Sequence, residues 1–281
     1  MIIQDWHTHN ALCHHATGTL EDYVKSAVDK ELNTIGFNDH FPYEFYSGIE
    51  NVPHEDYAMT LEEIDYYLKT AKSLREKYKD LIDIKIGFEI EFIKDQVNQL
   101  NSHLNKVKQE LDFIFGSVHI IYSEKGLWPL DDNRFIVMFE TIGVDTVYST
   151  FYQHIRDMIL SKEFDFDIVS HFDLPKKFNK KPNDKDQFWE EVDKTLDLIK
   201  KYDLVMEINT SGFRKDIKEQ YPSMEIIKKM KELDIQILLG SDAHEPQEVG
   251  WEFKKMIGTL KEMGYNQLAC YSKRKRTFIE L

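Results

Sequence analysis

The sequence predicts an α/β barrel, and three observations point there. Short apolar runs alternate with segments of helical period, the pattern of parallel strands joined by crossover helices. The runs recur at barrel-like intervals, and no linker-like stretch divides the 281 residues, so one domain spanning residues 1–281 is expected. Nearly every run ends in a histidine, aspartate or glutamate, and barrels assemble their sites at the C-terminal strand ends.

In chain order, the first strand is expected over Ile2–Trp6. Thr19, with Asp22 three residues on, then marks a helix start, and Leu20, Tyr23, Val24, Ala27 and Val28 form one apolar face behind it. Thr34–Asn38 reads as the second strand. Thr60 and Glu63 make a capping-box pattern ahead of Leu61, Ile64, Leu68, Ala71 and Leu74. Further strands are expected over Ile82–Phe88, Asp112–Gly116, Phe166–Ser170, Leu204–Ile208 and Ile235–Gly240. Ser223 opens a helix through Met224, Ile227, Met230 and Leu233 before the last of these. A weaker eighth run lies near Leu268–Tyr271.

Composition narrows the function classes. Hydrophobic residues make up 42% of the chain, enough for a large core, but no apolar run is long enough to cross a bilayer. The start, Met1 to His7, lacks the basic and apolar regions of a signal peptide, so a cytoplasmic location is expected. Cys13 and Cys270 are too few for a disulfide framework and are expected as thiols. A formal net charge of −14 repels a phosphate backbone, which argues against a nucleic-acid partner. A small anion can still be drawn to a metal-rich pocket in an acidic protein.

The strand ends carry the chemistry. Strand one runs into His7 and His9, strand two into Asp39 and His40, strand three into Glu89 and Glu91, and strand four into Ser117 and His119. Strand five ends at His171, strand six at Glu207 and Asn209, and strand seven at Asp242 and His244. The two-residue period of a strand puts His7 and His9 on one side, where both imidazoles can reach one ion. An isolated His-x-His is more often a packed or surface pair; four further strand-end histidines make that reading poor here. Asp242-x-His244 adds a hard oxygen and a borderline nitrogen, a mixture suited to Zn²⁺, Mn²⁺ or Fe²⁺. His54, His103 and His154 lie off the strand ends and are expected to be ordinary surface or interface residues.

Taken together, these segments resemble the polymerase and histidinol phosphatase (PHP) family, and within it the stand-alone histidinol-phosphatases. The resemblance runs the length of the chain, through Asp5-Trp6-His7-Thr8-His9, Leu12-Cys13-His14-His15-Ala16, Gly36-Phe37-Asn38-Asp39-His40 and Gly87-Phe88-Glu89. It continues through Gly116-Ser117-Val118-His119, Ser170-His171-Phe172-Asp173-Leu174, Glu207-Ile208-Asn209-Thr210-Ser211-Gly212 and Gly240-Ser241-Asp242-Ala243-His244. It implies a distorted (β/α)7 TIM-like barrel, the PHP fold, holding two to three divalent ions of zinc, manganese or iron. By that carry-over the first ion takes His7, His9, Glu89 and Asp242; the second takes Glu89, His119 and His171; the third takes His15, His40 and His244. Glu89 would bridge. His14 competes with His15 and Glu91 with Glu89, while Cys13 is open between a soft ligand and a buried thiol.

The implied activity is hydrolysis of a small phosphate monoester, L-histidinol phosphate. Two ions a few ångströms apart can hold a bridging hydroxide and stabilise charge on the attacked phosphate, while a protonated His or Asp protonates the departing alkoxide. The candidates for catalytic roles are His40, Asp242, His244 and Arg214, with Arg214, Lys177 and Ser117 as phosphate contacts. Lys177 stands where the phosphatases of this group carry arginine, so a bidentate grip there becomes a single-point contact. Three other readings compete. An amidohydrolase also begins with His-x-His but needs a bridging lysine. A PHP enzyme acting on nucleotides would share the metal residues. A non-catalytic metal scaffold would bind ions without turnover.

Overall fold

A computed structural model describes residues 3–49, 56–124 and 126–281; Ile2 and His54 fall outside them. The chain runs β1 (Gln4–Thr8), α1 (Leu20–Asp29), β2 (Thr34–Phe37), α2 (Ile64–Tyr78), β3 (Asp83–Glu91), α3 (Val97–Leu104) and β4 (Phe113–Ser117). A hairpin follows, β5 (Ile120–Ser123) and β6 (Gly126–Pro129), then α4 (Met138–Ile142), α5 (Val144–Leu160) and β7 (Ile168–Val169). The last part holds α6 (Lys185–Lys201), β8 (Val205–Asn209), α7 (Met224–Glu232), β9 (Gln236–Gly240) and α8 (Phe253–Glu262), and ends in a hairpin of β10 (Gln267–Ser272) and β11 (Lys275–Glu280).

Seven strands form one parallel sheet in the order β1-β2-β3-β4-β7-β8-β9. The sheet curls into a barrel, and its two edges meet only at their C-terminal ends. There the His9 amide donates to the Ala243 carbonyl at 2.9 Å and Thr8 pairs with Ala243 in a single parallel bridge. This partial seam makes the barrel distorted, and it joins the His7–His9 strand to the Asp242–His244 turn.

Local sequence explains the elements. Thr19 and Asp22 form a full capping box on α1, whose Leu20, Tyr23, Val24 and Ala27 are buried. The Thr60 amide and hydroxyl both donate to Glu63 and the Leu61 amide donates to the Glu44 carboxylate at 2.6 Å; residues 61–63 form a turn, and α2 runs from Ile64. The Ser223 side chain caps α7. Strand β7 is shorter than expected, since the Asp167 carboxylate rather than a ladder carbonyl takes the Ile114 amide at 2.8 Å.

The eighth expected strand is not a barrel strand. Leu268–Tyr271 lies in β10, paired antiparallel with β11 and outside the seven-stranded sheet. Its Ala269 and Tyr271 pack with the barrel-filling residues Trp6, Phe113, Phe115, Ile168, Val205 and Leu238. Trp6 meets Phe113 edge-on at 5.2 Å and Tyr271 at 6.3 Å. The hairpin therefore plugs the N-terminal end of the barrel, tied by the Arg274 amide to the Asp112 carbonyl at 2.8 Å. His154 is also corrected: it is buried on α5, with Nδ1 2.8 Å from the Thr150 carbonyl and its ring stacked on Tyr122. His103 stacks on Phe45.

Candidate metal centre

The open end of the barrel gathers the histidines and carboxylates. His7 and His9 point the same way, as strand alternation requires, and their Nε2 atoms are 3.0 Å apart. Glu89 Oε2 lies 3.2 Å from His7 Nε2 and 3.5 Å from His9 Nε2, and Asp242 Oδ1 lies 3.3 Å from His9 Nε2. Two imidazole nitrogens and two carboxylate oxygens thus converge on one point. The other oxygen of Glu89 faces a second group: Oε1 is 2.9 Å from His171 Nε2 and 3.5 Å from His119 Nε2. One buried carboxylate is shared between two donor sets.

A third group lies beyond His9. The ligand atoms of His9, His40 and His244 fall within 4.8 Å of one another, as do those of Cys13, His15 and His244. The His15 ring is 4.8 Å from that of His244 and 5.3 Å from that of His40. His14 adopts a left-handed backbone, φ 67°, and its Nε2 turns away to lie 3.9 Å from Glu63. His40 Nδ1 is buried with no hydrogen-bond partner among the described residues, although it lies 3.2 Å from Glu89 Oε2. A convergent set of imidazoles and carboxylates with such an orphaned nitrogen fits divalent metal ions.

Further buried carboxylates hold the imidazoles in place. Glu207 accepts from His7 Nδ1 at 2.7 Å and from the His171 amide at 2.9 Å, while Glu91 accepts from His119 Nδ1 at 2.8 Å. Each bond leaves the opposite Nε2 free to face the centre, the arrangement by which metal-binding histidines are oriented. Burial, and after it the neighbouring His9, pushes His40 and His244 well below the ordinary histidine value, so both are neutral, the form that ligates. Burial opposes ionisation of Glu89, but His7 and after it His119 outweigh it and hold the carboxyl well below its usual range.

The cluster faces a cavity of about 590 Å³ lined by His15, His40, Glu89, His119, His171, Asp242 and His244, and also by Lys177, Lys215, Arg134 and Asp131. Lys177 lies in this wall, with Nζ donating to the Asp131 carbonyl at 2.6 Å and to its carboxylate at 3.0 Å. Two expected phosphate contacts are elsewhere. Arg214 does not line the cavity: its Nη2 donates to the Ser241 and Asp242 carbonyls at 2.8 and 3.0 Å, and its Nε lies 2.9 Å from Glu248. Ser117 is buried beneath Glu89, donating to Oε1 at 2.6 Å, so it orients the shared carboxylate.

Sequence reasoning missed Lys215, Asp131 and the orienting roles of Glu91 and Glu207. The strand period offered a signal for Glu91, two residues past Glu89 on the same face. Lys215 had none, since its neighbour Arg214 is the better phosphate group by chemistry alone.

Comparison with known proteins shows the family and the fold. A probable histidinol-phosphatase from Deinococcus radiodurans is 30% identical over 261 residues, covering 92% of this chain and 93% of its own. A histidinol-phosphatase from Bacillus subtilis is 25% identical over 263 residues, 90% of this chain and 98% of that one. The crystal structure of a histidinol phosphate phosphatase from Lactococcus lactis, complexed with zinc, L-histidinol and phosphate, matches the fold with a TM-score of 0.78 at 21% identity, covering 98% of each chain. The model of the PHP domain family matches residues 5–211, three quarters of the sequence, and the chain belongs to that family.

Proposed function

We propose that this chain is a metal-dependent phosphomonoesterase that hydrolyses L-histidinol phosphate to L-histidinol and phosphate. The observation that carries this reading is the shared carboxylate of Glu89, with one oxygen toward His7 and His9 and the other toward His119 and His171, at the floor of a small-molecule-sized cavity. The names of the relatives supply the substrate. The assigned ligands are His7, His9, Glu89 and Asp242 for one ion, Glu89, His119 and His171 for a second, and His15, His40 and His244 for a third. Two to three ions of zinc, manganese or iron are bound in this reading.

Bound ions would supply an activated water and draw off charge from the phosphoryl oxygens. The chain's own residues do the rest. Lys215 and Lys177, on the cavity wall, hold phosphate oxygens, the role expected of Arg214. Glu207 and Glu91 keep His7 and His119 in register. Asp242, His40 and His244 line the same cavity and are the candidates for catalytic roles. Residues 1–281 act as one domain in this reading, because β9, beyond the matched span, delivers Asp242 and His244 to the same centre. No helix among the described residues is long and apolar enough to cross a membrane. We place the protein in the cytoplasm, acting on a small phosphate monoester and not on nucleic acid.

The test is phosphate release from a substrate panel after metal reconstitution, with metal content quantified alongside. L-Histidinol phosphate is expected to show a much higher specificity constant than mononucleotides, sugar phosphates or diesters. A mononucleotide as the better substrate would remove the substrate assignment and leave the metal centre standing; activity with one ion or none bound would remove the multinuclear centre.

A further inference from the structure

We propose that the thiolate of Cys13 is itself a metal ligand, so that the third ion sits in a mixed sulfur–nitrogen site with His15 and His244. The proposal rests on the metal-centre reading above and deepens it.

A buried cysteine ordinarily behaves as a small apolar residue and packs among aliphatic side chains. Cys13 is fully buried, yet it belongs to none of the hydrophobic clusters of the barrel. Its neighbours are polar instead. The Sγ atom lies within 4.8 Å of ligand nitrogens of both His15 and His244, and within the same distance of donor atoms of His9 and Asp39.

The local backbone is built to present it. Cys13 closes a single 3₁₀ turn, Ala11–Cys13, whose first free amide is taken by the Asn10 side chain. The left-handed His14 then reverses the chain, so that His14 leaves toward Glu63 while Cys13 and His15 both face the cluster. His15 Nδ1 lies 2.8 Å from the Cys13 carbonyl, and His244 Nδ1 lies 3.1 Å from the Asp242 carbonyl. Each bond commits Nδ1 as the donor and leaves Nε2 as the ligating atom. Added to the His15, His40 and His244 nitrogens already assigned to the third ion, the sulfur completes a four-donor set of the kind that holds zinc tetrahedrally. On binding, the thiol proton passes to solvent as the sulfur–metal bond forms. A thiolate in this position favours zinc over manganese.

The probe is cobalt(II), reconstituted into the metal-stripped full-length protein. A near-ultraviolet sulfur-to-cobalt charge-transfer band is expected, alongside the visible bands of cobalt bound by nitrogen and oxygen. Cys13→Ser is expected to abolish the charge-transfer band and keep the visible ones. Cys270→Ser should leave both, since Cys270 sits on the terminal hairpin with its Sγ 3.0 Å from Thr277 Oγ1. Cobalt bound without the band, or a band that survives Cys13→Ser, overturns the proposal and leaves the phosphatase reading intact. Failure to bind cobalt at all overturns both. Should Cys13→Ser fail to fold, X-ray absorption at the zinc edge of the unaltered zinc protein decides: a sulfur scatterer supports the ligand, and a shell of nitrogen and oxygen alone refutes it.

Discussion

Glu91 and Glu89 are the same residue type two positions apart on one strand face, and they do different work. Glu89 is turned to the centre by Ser117, while Glu91 is consumed by the His119 ring and by the His119 and Ile120 amides, at 2.8 to 3.0 Å. Glu91→Gln puts an amide nitrogen where one of these acceptors stood. Weakening of metal binding at that position by roughly 10–100-fold is expected, as for other groups that orient a metal-binding histidine, and a chelator titration reads it. Arg214 makes the opposite point, because its guanidinium ties down the carbonyls of the turn that carries Asp242. Arg214→Ala should therefore lower metal occupancy together with turnover; full occupancy with a lower kcat/KM would restore the phosphate clamp expected from sequence. Lys215 is the cavity cation with no hydrogen bond or ion pair to its ammonium among the described residues. Burial and then Lys177 push its pKa below the ordinary lysine value, against the pull of Asp242. A lysine loses its charge as pH rises, so the alkaline limb of kcat/KM should set in below about pH 10.4, the value for a free lysine. Lys215→Arg should move that limb upward, and an unmoved limb would clear Lys215 of the role. At this scale the ligand types were legible because the strand period fixes which side chains share a face. What each side chain touches depends on distant partners, and that was not legible for Ser117 or Arg214.

Strand β9 has to pass its last residue against two charged side chains. A Cβ on Gly240 would lie 2.0 Å from Glu207 Oε1 and 2.7 Å from His7 Cβ, so only glycine lets Glu207 reach His7 Nδ1. Gly240→Ala should cost about 1–3 kcal/mol by overpacking and should also displace His7. A thermal melt with parallel metal analysis checks both, and a variant with unchanged metal content would show that Glu207 is not needed to aim His7. Strand periodicity marked β1, β2, β3, β4, β8 and β9 to within a few residues, since each lies in or beside a short buried stretch bounded by helical segments. It placed β7 within two residues, although a side-chain carboxylate replaces part of the ladder and shortens the strand, and it failed at β10, where an apolar run pairs with a later strand. The failure at β10 has a simple cause: an apolar run reports burial, and burial alone does not name the partner.

The two ends of the barrel are closed by different physics, and this sets how the molecule should respond to perturbation. At the N-terminal end Tyr271, 5% exposed, packs over Trp6 and the barrel filling and donates its hydroxyl to the Asp167 carbonyl at 3.3 Å. At the other end, residues following or ending β1, β3, β4, β7 and β9 meet through His9, Glu89, His119, His171 and Asp242, which bound ions would cross-link. Ions that bind only the folded chain stabilise it by mass action, by about 2.7 kcal/mol at a hundredfold excess over Kd, so chelation should lower Tm and re-addition of zinc restore it. Tyr271→Ala should cost about 3–5 kcal/mol through lost packing, with metal content unchanged. The hairpin and the metal centre lie at opposite ends, bridged only through the barrel filling, where the Phe115 ring lies 4.9 Å from that of His7; if the ends act independently, the two losses should add to within about 0.3–0.5 kcal/mol. Denaturant melts of the parent and of Tyr271→Ala, each with and without chelator, complete the cycle. A coupling well above that margin, or loss of metal in Tyr271→Ala, would mean that the hairpin supports the centre through the Trp6–His7 strand and that the ends do not act independently.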